Sequence, residues 1–530
     1  VALLLVIVGL VTTVVAVSVV ARRLGALSPI LLVLVGLVLS FVAAVPQMRL
    51  DPEIVLIGVL PPLLYVAAVE TSVPAFRYNL RPILLLAVGL VLFTTGSVGY
   101  AVHLLLPGVP LAACMALGAI VAPPDAVAAT AIARRIGLPR RVVAILEGES
   151  LINDASALVL FRVAIAAATG HILTPLGVTG DALIAALGGV AIGGVGAVAL
   201  AWIHRRVTQP LVDNSVSLLA PWIVYAPAEQ VHASGVVAVV VTGLYLGHRY
   251  PTLMSAASRL QMEAFWRMVK FVLEGIVFLL VGLQLRFIVH DLVHNPSVRF
   301  GVVVKATVTV LAVVVVTRFV WMYPATYLAR LVPRVRRRDP APPIQYPTVI
   351  AWAGMRGVVT LAAAMALPAS LAGGKEYPRE LFVWLAFSVI VGTLVLQGLS
   401  LPAIVRWLRI PCDDPKQDAL AEAAVQHAAT RAARERLEAE AGRNGQTPEA
   451  VLARLRAMLT DRTNLAWERL GGRQRETPSE AYSRLRRSMI EAEREVFRRA
   501  RDEGKIPEEV LRRAQRDMDL EESLLQREDK

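Results

Sequence analysis

Residues 146–161 read LEGESLINDASALVLF. With its flanks the run is long and apolar enough for a membrane helix, yet it holds Glu147, Glu149, Asn153 and Asp154. A charge at the centre of such a helix costs ~2.5–3.5 kcal/mol on the mildest scale. Either the segment stays out of the bilayer or its acids serve a purpose there. Wound as a helix, they fall on two faces. Glu147, Ser150 and Asp154 stand at i, i+3 and i+7 and share one stripe, while Glu149 and Asn153, at i and i+4, share another. Asp154 thus lies midway along the span with a hydroxyl one turn away. An ionisable group at that depth marks an ion or proton path. Glu147 and Glu149 lie closer to one end, where water can reach them; for Glu147, solvation or a structural partner accounts for the charge.

The surrounding chain supports a membrane setting. Its 530 residues are 56% apolar and 18% charged, with a mean hydropathy of +0.60. That composition excludes an ordinary soluble enzyme. The net charge of +13 is unevenly spread. Residues 411–530 carry 24 basic and 25 acidic side chains, which leaves 30 of the 54 Lys and Arg and 16 of the 41 Asp and Glu to the first 410. The excess therefore belongs to the apolar part. It reads as basic loops facing an anionic leaflet, with no nucleic acid as partner.

Hydropathy gives about thirteen spans by the roughly 20-residue criterion. They lie near 2–21, 28–45, 54–70, 83–106, 111–133, 142–169, 181–203, 215–230, 233–247, 266–286, 301–322, 346–369 and 381–405. The first is expected to be a retained span, since no basic leader or small-residue cleavage site accompanies it. Alternate connections hold basic residues: Arg22 and Arg23; Arg77 and Arg81; Arg134, Arg135, Arg140 and Arg141; Arg205 and Arg206; Arg249, Arg259, Arg267 and Lys270; Arg330, Arg334 and Arg336 to Arg338; Arg406 and Arg409. The opposite connections near 107–110, 170–180 and 231 carry none, and that near 371–379 carries Lys375 and Arg379. The positive-inside rule then sets the N-terminus outside and the C-terminus in the cytoplasm. Cys114 and Cys412 fall on opposite sides, so no disulfide is expected. The expected architecture is an all-α integral membrane domain, 1–410, followed by a soluble helical tail, 411–530. In the tail, TPSE at 477–480 is a capping box, TPEA at 447–450 a weaker one, and Leu452, Leu455 and Leu459 form a helical stripe.

Two further spans are anomalous. LGAIVAPPDAVAATAIARR, 117–135, cannot be one helix, because Pro123 and Pro124 donate no amide protons and free the carbonyls of Ala119 and Ile120. Such carbonyls must line a cavity or bind something positive. Asp125 is placed to cap the half-helix that follows. In YPTVIAWAGMRGVVTLAAAMAL, 346–367, Arg356 stands between Gly354 and Gly357 with no other charge in the span, so an acid from another helix is expected beside it. One interrupted span in each half points to inverted repeats with a site near the midplane. Glu274 and Glu229 read as structural groups or as lining of an access route; His103 and Arg162 read as interfacial, and Glu70 as facing water.

Taken together, PPLLYVAA at 61–68, GAIVAPPDAVAA at 118–129, GESLINDASALVLF at 148–161 and GMRGVVTLA at 354–362 resemble the sodium/proton exchangers of the monovalent cation:proton antiporter-1 family, over roughly residues 1–410. The resemblance implies a thirteen-span fold in which the fifth and twelfth spans are broken and cross, and a homodimer. It implies ion binding by Asp154, with Ser150 and Asp125 beside it and Asn153 as the other half of a signature Asn-Asp pair. It also implies that Glu149 pairs with Arg356. The chain has Pro124 before Asp125 where many members have threonine, and Ala67 where some carry an acid.

The implied mechanism is secondary-active exchange. One buried carboxylate takes either Na+ (or Li+) or H+, and only a neutralised site crosses. Hard cations want oxygen ligands, which Asp154, Ser150, backbone carbonyls and water supply. Asn153 cannot carry a second proton, so exchange is expected to be one for one and electroneutral. No cofactor and no resident metal are expected. A K+/H+ exchanger would use the same residues. A channel would need a continuous polar path, and an intramembrane enzyme a nucleophile with a base; Ser150 has no evident His partner and the chain has no HExxH motif.

Overall fold

The computed structural model describes residues 2–42, 45, 49–170, 175–294, 299–331, 333, 337, 339–372, 376–410, 413–444, 448–468 and 477–528. Arg334, Arg336, Arg338, Lys375, Cys412 and Thr447 lie outside these. The chain divides into two compact units, Val1–Cys412 and Asp413–Lys530.

The first unit is all helical among the described residues. Its helices are α1 (Ala2–Leu24), α2 (Ser28–Leu39), α3 (Leu60–Glu70), α4 (Val73–Tyr78), α5 (Leu80–Leu84), α6 (Val91–Leu105), α7 (Leu111–Val121), α8 (Ala126–Ile136), α9 (Arg140–Ala168), α10 (Pro175–Arg206), α11 (Pro210–Gln230), α12 (Gly235–Leu253), α13 (Ala256–Leu283), α14 (Leu285–Val293), α15 (Phe300–Tyr327), α16 (Gln345–Trp352), α17 (Val358–Met365) and α18 (Arg379–Leu408). Single π-turns at Ile54–Val59 and Leu85–Leu90 lead into α3 and α6. Among the described residues, seven helical segments are long and apolar enough to cross a bilayer. Of the other expected spans, the second and third are shorter, the eighth and ninth are the 21- and 19-residue helices α11 and α12, and the fifth and twelfth are each split into two half-helices. The tenth starts at Ala256, about ten residues before its expected edge, because Ser255 caps it, accepting from the Ser258 amide at 3.1 Å. Its first turns are amphipathic, so hydropathy alone understates it.

Two apolar cores organise the unit. One gathers buried side chains of α6 to α9 and α15 to α18 with parts of α2 and α13. The other gathers those of α3 and α10 to α13. Without a hydrophobic drive between helices in lipid, close packing at small residues sets the crossings. Gly36 of α2 and Gly282 of α13 show this: a Cβ at Gly282 would stand 2.7 Å from the Leu37 amide nitrogen.

In the second unit α19 (Pro415–Asn444), α20 (Glu449–Glu468), α21 (Pro478–Asp502) and α22 (Glu508–Glu528) form two hairpins. The capping box at 477–480 is present: the Thr477 amide donates to Glu480 at 2.9 Å and the Glu480 amide to the Thr477 hydroxyl at 3.2 Å. Leu452 and Leu459 turn inward, whereas Leu455 is half-buried.

The α2–α13 crossing gives a direct check. Gly282→Ala is expected to cost ~1–3 kcal/mol by overpacking against backbone, read as a lower melting temperature of the detergent-solubilised protein. Gly96→Ala, with open space around its Cβ, leaves the melting temperature unchanged or raises it.

Candidate functional site

The two broken spans meet. α7 ends at Val121 because the prolines that follow cannot continue its ladder, and α8 restarts at Asp125, whose carboxylate accepts from the Val127 amide at 2.8 Å. α16 ends at Trp352, and the chain runs extended through Gly357 before α17. The Asp125 amide donates to the Met355 carbonyl at 2.7 Å and ties one break to the other. Close approach at the crossing sets both glycines of GMRG. A Cβ at Gly357 would collide with the Asp125 carboxylate, and one at Gly354 with the Arg318 side chain.

Three charged side chains at the crossing are almost fully buried: Glu149, Arg318 and Arg356, each about 1% exposed. Arg318, in α15, grips Glu149 with both terminal nitrogens, at 2.7 and 2.8 Å, and donates its Nε to the Ile350 carbonyl at 3.1 Å. The expected Glu149–Arg356 pair is therefore not the one formed. Arg356 instead donates Nε to the Val121 carbonyl at 2.8 Å and Nη1 to the Gly354 carbonyl, while its amide donates to Thr393 at 3.0 Å. Its charge sits at the C-terminal end of α7, where orphan carbonyls and the helix dipole favour a cation. The base that satisfies Glu149 comes from the neighbouring α15, because that face of α9 turns towards it. Arg318 carries a weaker signal than Arg356, an arginine inside an apolar span that also holds Lys305.

The two faces read along α9 are the two faces observed. Glu147, Ser150 and Asp154 line a cavity of about 540 Å3 together with Asp125. Glu149 and Asn153 turn the other way. Asn153 is fully buried and donates to the Pro124 carbonyl at 2.7 Å. It does not line the cavity. Adjacent residues on a helix point about 100° apart, and here that turn takes Asn153 towards the first break and Asp154 towards the cavity. Freed carbonyls at the first break are likewise engaged, Val121 by Arg356 and Pro124 by Asn153, while the Ala119 carbonyl accepts from Ala122 at 3.4 Å.

The cavity lies between α2, α3 and α13 on one side and the α7–α8 break, α9 and α17 on the other. At its exposed end, basic and acidic groups are paired: Arg134 with Glu147 at 2.6 Å and Lys270 with Glu70 at 2.8 Å. Glu274 and Ala67 line the wall further in. Asp154, 9% exposed, makes no hydrogen bond or ion pair among the described residues, and Asp125 is near enough to feel its charge. Carboxylates of Asp154 and Asp125 with the Ser150 hydroxyl give an all-oxygen wall suited to a hard cation. Glu229 has a different place, bonded to Arg162 at 2.7 Å and to the Gly235 amide at 3.1 Å, where it joins α9, α11 and α12. His103 bonds the Val109 carbonyl at 3.0 Å.

Removing one partner of a buried pair costs ~3–5 kcal/mol. Arg318→Met is therefore expected to lower the melting temperature and folded yield steeply, and Glu149→Leu added to it to restore most of the loss. Arg356→Ala is also destabilising, but Glu149→Leu does not rescue it, since its partners are carbonyls. Equal rescue of both arginine variants would contradict this assignment.

Comparison with known proteins agrees with the geometry. The sequence profile described as "Sodium/hydrogen exchanger, transmembrane" matches residues 9–407. An uncharacterised Na+/H+ exchanger of Mycobacterium bovis is 35% identical over 98% of this chain and 95% of its own length. A sodium, potassium, lithium and rubidium/H+ antiporter of Bacillus pumilus is 31% identical over 71% of this chain and 57% of its own. The solved structure of the sodium proton antiporter MjNhaP1 of Methanocaldococcus jannaschii superposes with a TM-score of 0.60 at 19% identity, covering 77% of this chain and 99% of that one, and so shares the fold. With a profile match that spans the helical unit and a relative that aligns from end to end, the chain belongs to the sodium/hydrogen exchanger family of multi-pass membrane transporters.

Proposed function

We propose that the chain exchanges Na+, and Li+ as a second cation, for H+ across the cell membrane, one for one, with Asp154 as the carboxylate both ions share. The observation that carries this reading is the position of Asp154. It faces the cavity without a protein partner, while Glu149, Glu147 and Glu70 each have a basic one. Of the other acids on the wall, Asp125 caps α8, and Glu274 stands on α13, away from the Ser150–Asp154 stripe. Ser150 and Asp125 complete the oxygen wall, and water supplies the remaining ligands. Asp125 is held as the cap of α8 by the Val127 amide. Asn153 is a positioning residue that fixes the Asp154 stretch of α9 to the Pro124 carbonyl.

Exchange follows from neutralisation. Either H+ or a cation cancels the Asp154 charge, and only the neutralised site can pass through the low-dielectric middle. One proton leaves for each cation that enters. The cavity lies between α2, α3 and α13 on one side and the α7–α8 break, α9 and α17 on the other, and alternating access by movement of one wall against the other is part of the proposal. Its exposed end carries Arg134, Arg135 and Lys270. The positive-inside rule assigns that end to the cytoplasm, with the N-terminus outside and the tail 411–530 inside. The homodimer implied by the resemblance is carried over as part of the proposal. K+/H+ exchange on the same residues is the second reading, favoured by Bacillus relatives named for sodium, potassium, lithium and rubidium.

In vesicles with an imposed pH gradient, Na+ is expected to collapse the gradient through the wild type and to leave it intact with Asp154→Asn; retained exchange in that variant rules out the shared carboxylate. Running Li+ and K+ beside Na+ decides between the two cation readings. On a solid-supported membrane, sodium jumps should give no steady current, and sustained net charge movement per cycle would contradict the one-for-one stoichiometry.

A further inference from the structure

A second, smaller cleft lies on the outer side of the helices that hold the crossing. Its apolar floor includes Leu86 beside α5, Met322 of α15 and Ile350 of α16, and its rim holds Arg81, Arg141 and Arg330 with a single acid, Asp339. Arg141 donates to Asp339 at 2.6 Å and to Asn79 at 3.2 Å, with its guanidinium 5.6 Å from the Tyr78 ring centre. Arg330 donates to the same Asp339 carboxylate at 2.5 Å, to the Asp339 carbonyl at 3.1 Å and to the Thr326 carbonyl. One carboxylate is thus shared by two guanidinium groups. Arg81 is half-buried at the rim and has neither a hydrogen bond nor an ion pair among the described residues.

We propose that this cleft binds the phosphate of an anionic phospholipid from the leaflet on the side of the basic loops. Three arginines against one acid leave a surplus of positive charge over an apolar floor, which suits an anion with a hydrocarbon body. Basic pockets between membrane helices on this face bind anionic headgroups in this way. The enclosed space is about 50 Å3, so it takes part of a headgroup and no acyl chain. On the same helices Leu84, Val88 and Leu328 are 43, 39 and 64% exposed, giving chains an apolar surface to lie along. A soluble anion would gain nothing from that surface. The bound phosphate would join α5, α9, α15 and α16, and so brace Arg318 and the half-helix that precedes the second break.

The test uses delipidated full-length protein in a neutral detergent, titrated with phosphatidylglycerol or phosphatidylcholine in mixed micelles. Melting temperature and native mass spectrometry are the readouts. Phosphatidylglycerol is expected to raise the melting temperature and to bind about five-fold or more tighter than phosphatidylcholine, with Arg81→Gln losing about five-fold of that preference and Arg81→Lys keeping it. Wild-type protein in high salt should lose the preference too, which reads the charge without any variant. Equal binding of the two lipids, or an unchanged preference in Arg81→Gln, overturns the site. Inorganic phosphate reproducing the stabilisation would make it a soluble-anion site and overturn the lipid assignment.

Discussion

The fork of Arg318 on Glu149 is the contact on which the rest of this membrane unit depends. Two opposite charges buried at about 1% exposure would each be prohibitive alone, and together they are tolerable only because both carboxylate oxygens and the third guanidinium nitrogen are occupied. The pair fixes α9 against α15 and the end of α16. It also removes one acid of the LEGES stretch from the list of groups that can take up an ion. A cavity carboxylate five residues further along α9 can then respond to cations and protons without a second titrating group beside it on that helix.

The crossing of the broken spans obeys the same constraint. In hydrocarbon every backbone polar group needs an internal partner. Two prolines and a Gly-flanked arginine break two helices, and each break supplies what the other lacks. Met355 gives a carbonyl to the Asp125 amide, and Arg356 gives a guanidinium to the carbonyl end of α7. The small residues are what allow this contact, since a side chain at Gly357 would occupy the space of the Asp125 carboxylate. With the Ala119, Val121 and Pro124 carbonyls engaged, side-chain oxygens of Asp154, Asp125 and Ser150 stand on the cavity wall.

Much of this was legible in the residues. Helical period alone separates Ser150 and Asp154 from Glu149 and Asn153, and the structure keeps that separation. Pro123–Pro124 and Gly354–Gly357 mark both breaks, and Asp125 caps as its position requires. What could not be read was which charge meets which. Arg356 is the single cation of its apolar span and Arg318 shares its span with Lys305, and both arginines lie near Glu149; only the packing of α15 on α9 decides between them. The Asn-Asp pair is divided in the same way. Adjacent letters look like one site, but a helix points them apart, and Asn153 holds the Pro124 carbonyl while Asp154 faces the cavity. Helix lengths were blurred where an amphipathic start, such as Ala256 onward, dilutes hydropathy.

The central claim is that one carboxylate is held in turn by a cation and by a proton. Its most direct measurement is the number of protons released when Na+ binds to the purified protein, followed in weakly buffered detergent solution from acidic to alkaline pH. The account requires one proton released per Na+ bound where the site begins protonated, Na+ affinity that weakens as the pH is lowered, and no release from Asp154→Asn. Sodium binding whose affinity ignores pH, or proton release that persists without the Asp154 carboxylate, would contradict it.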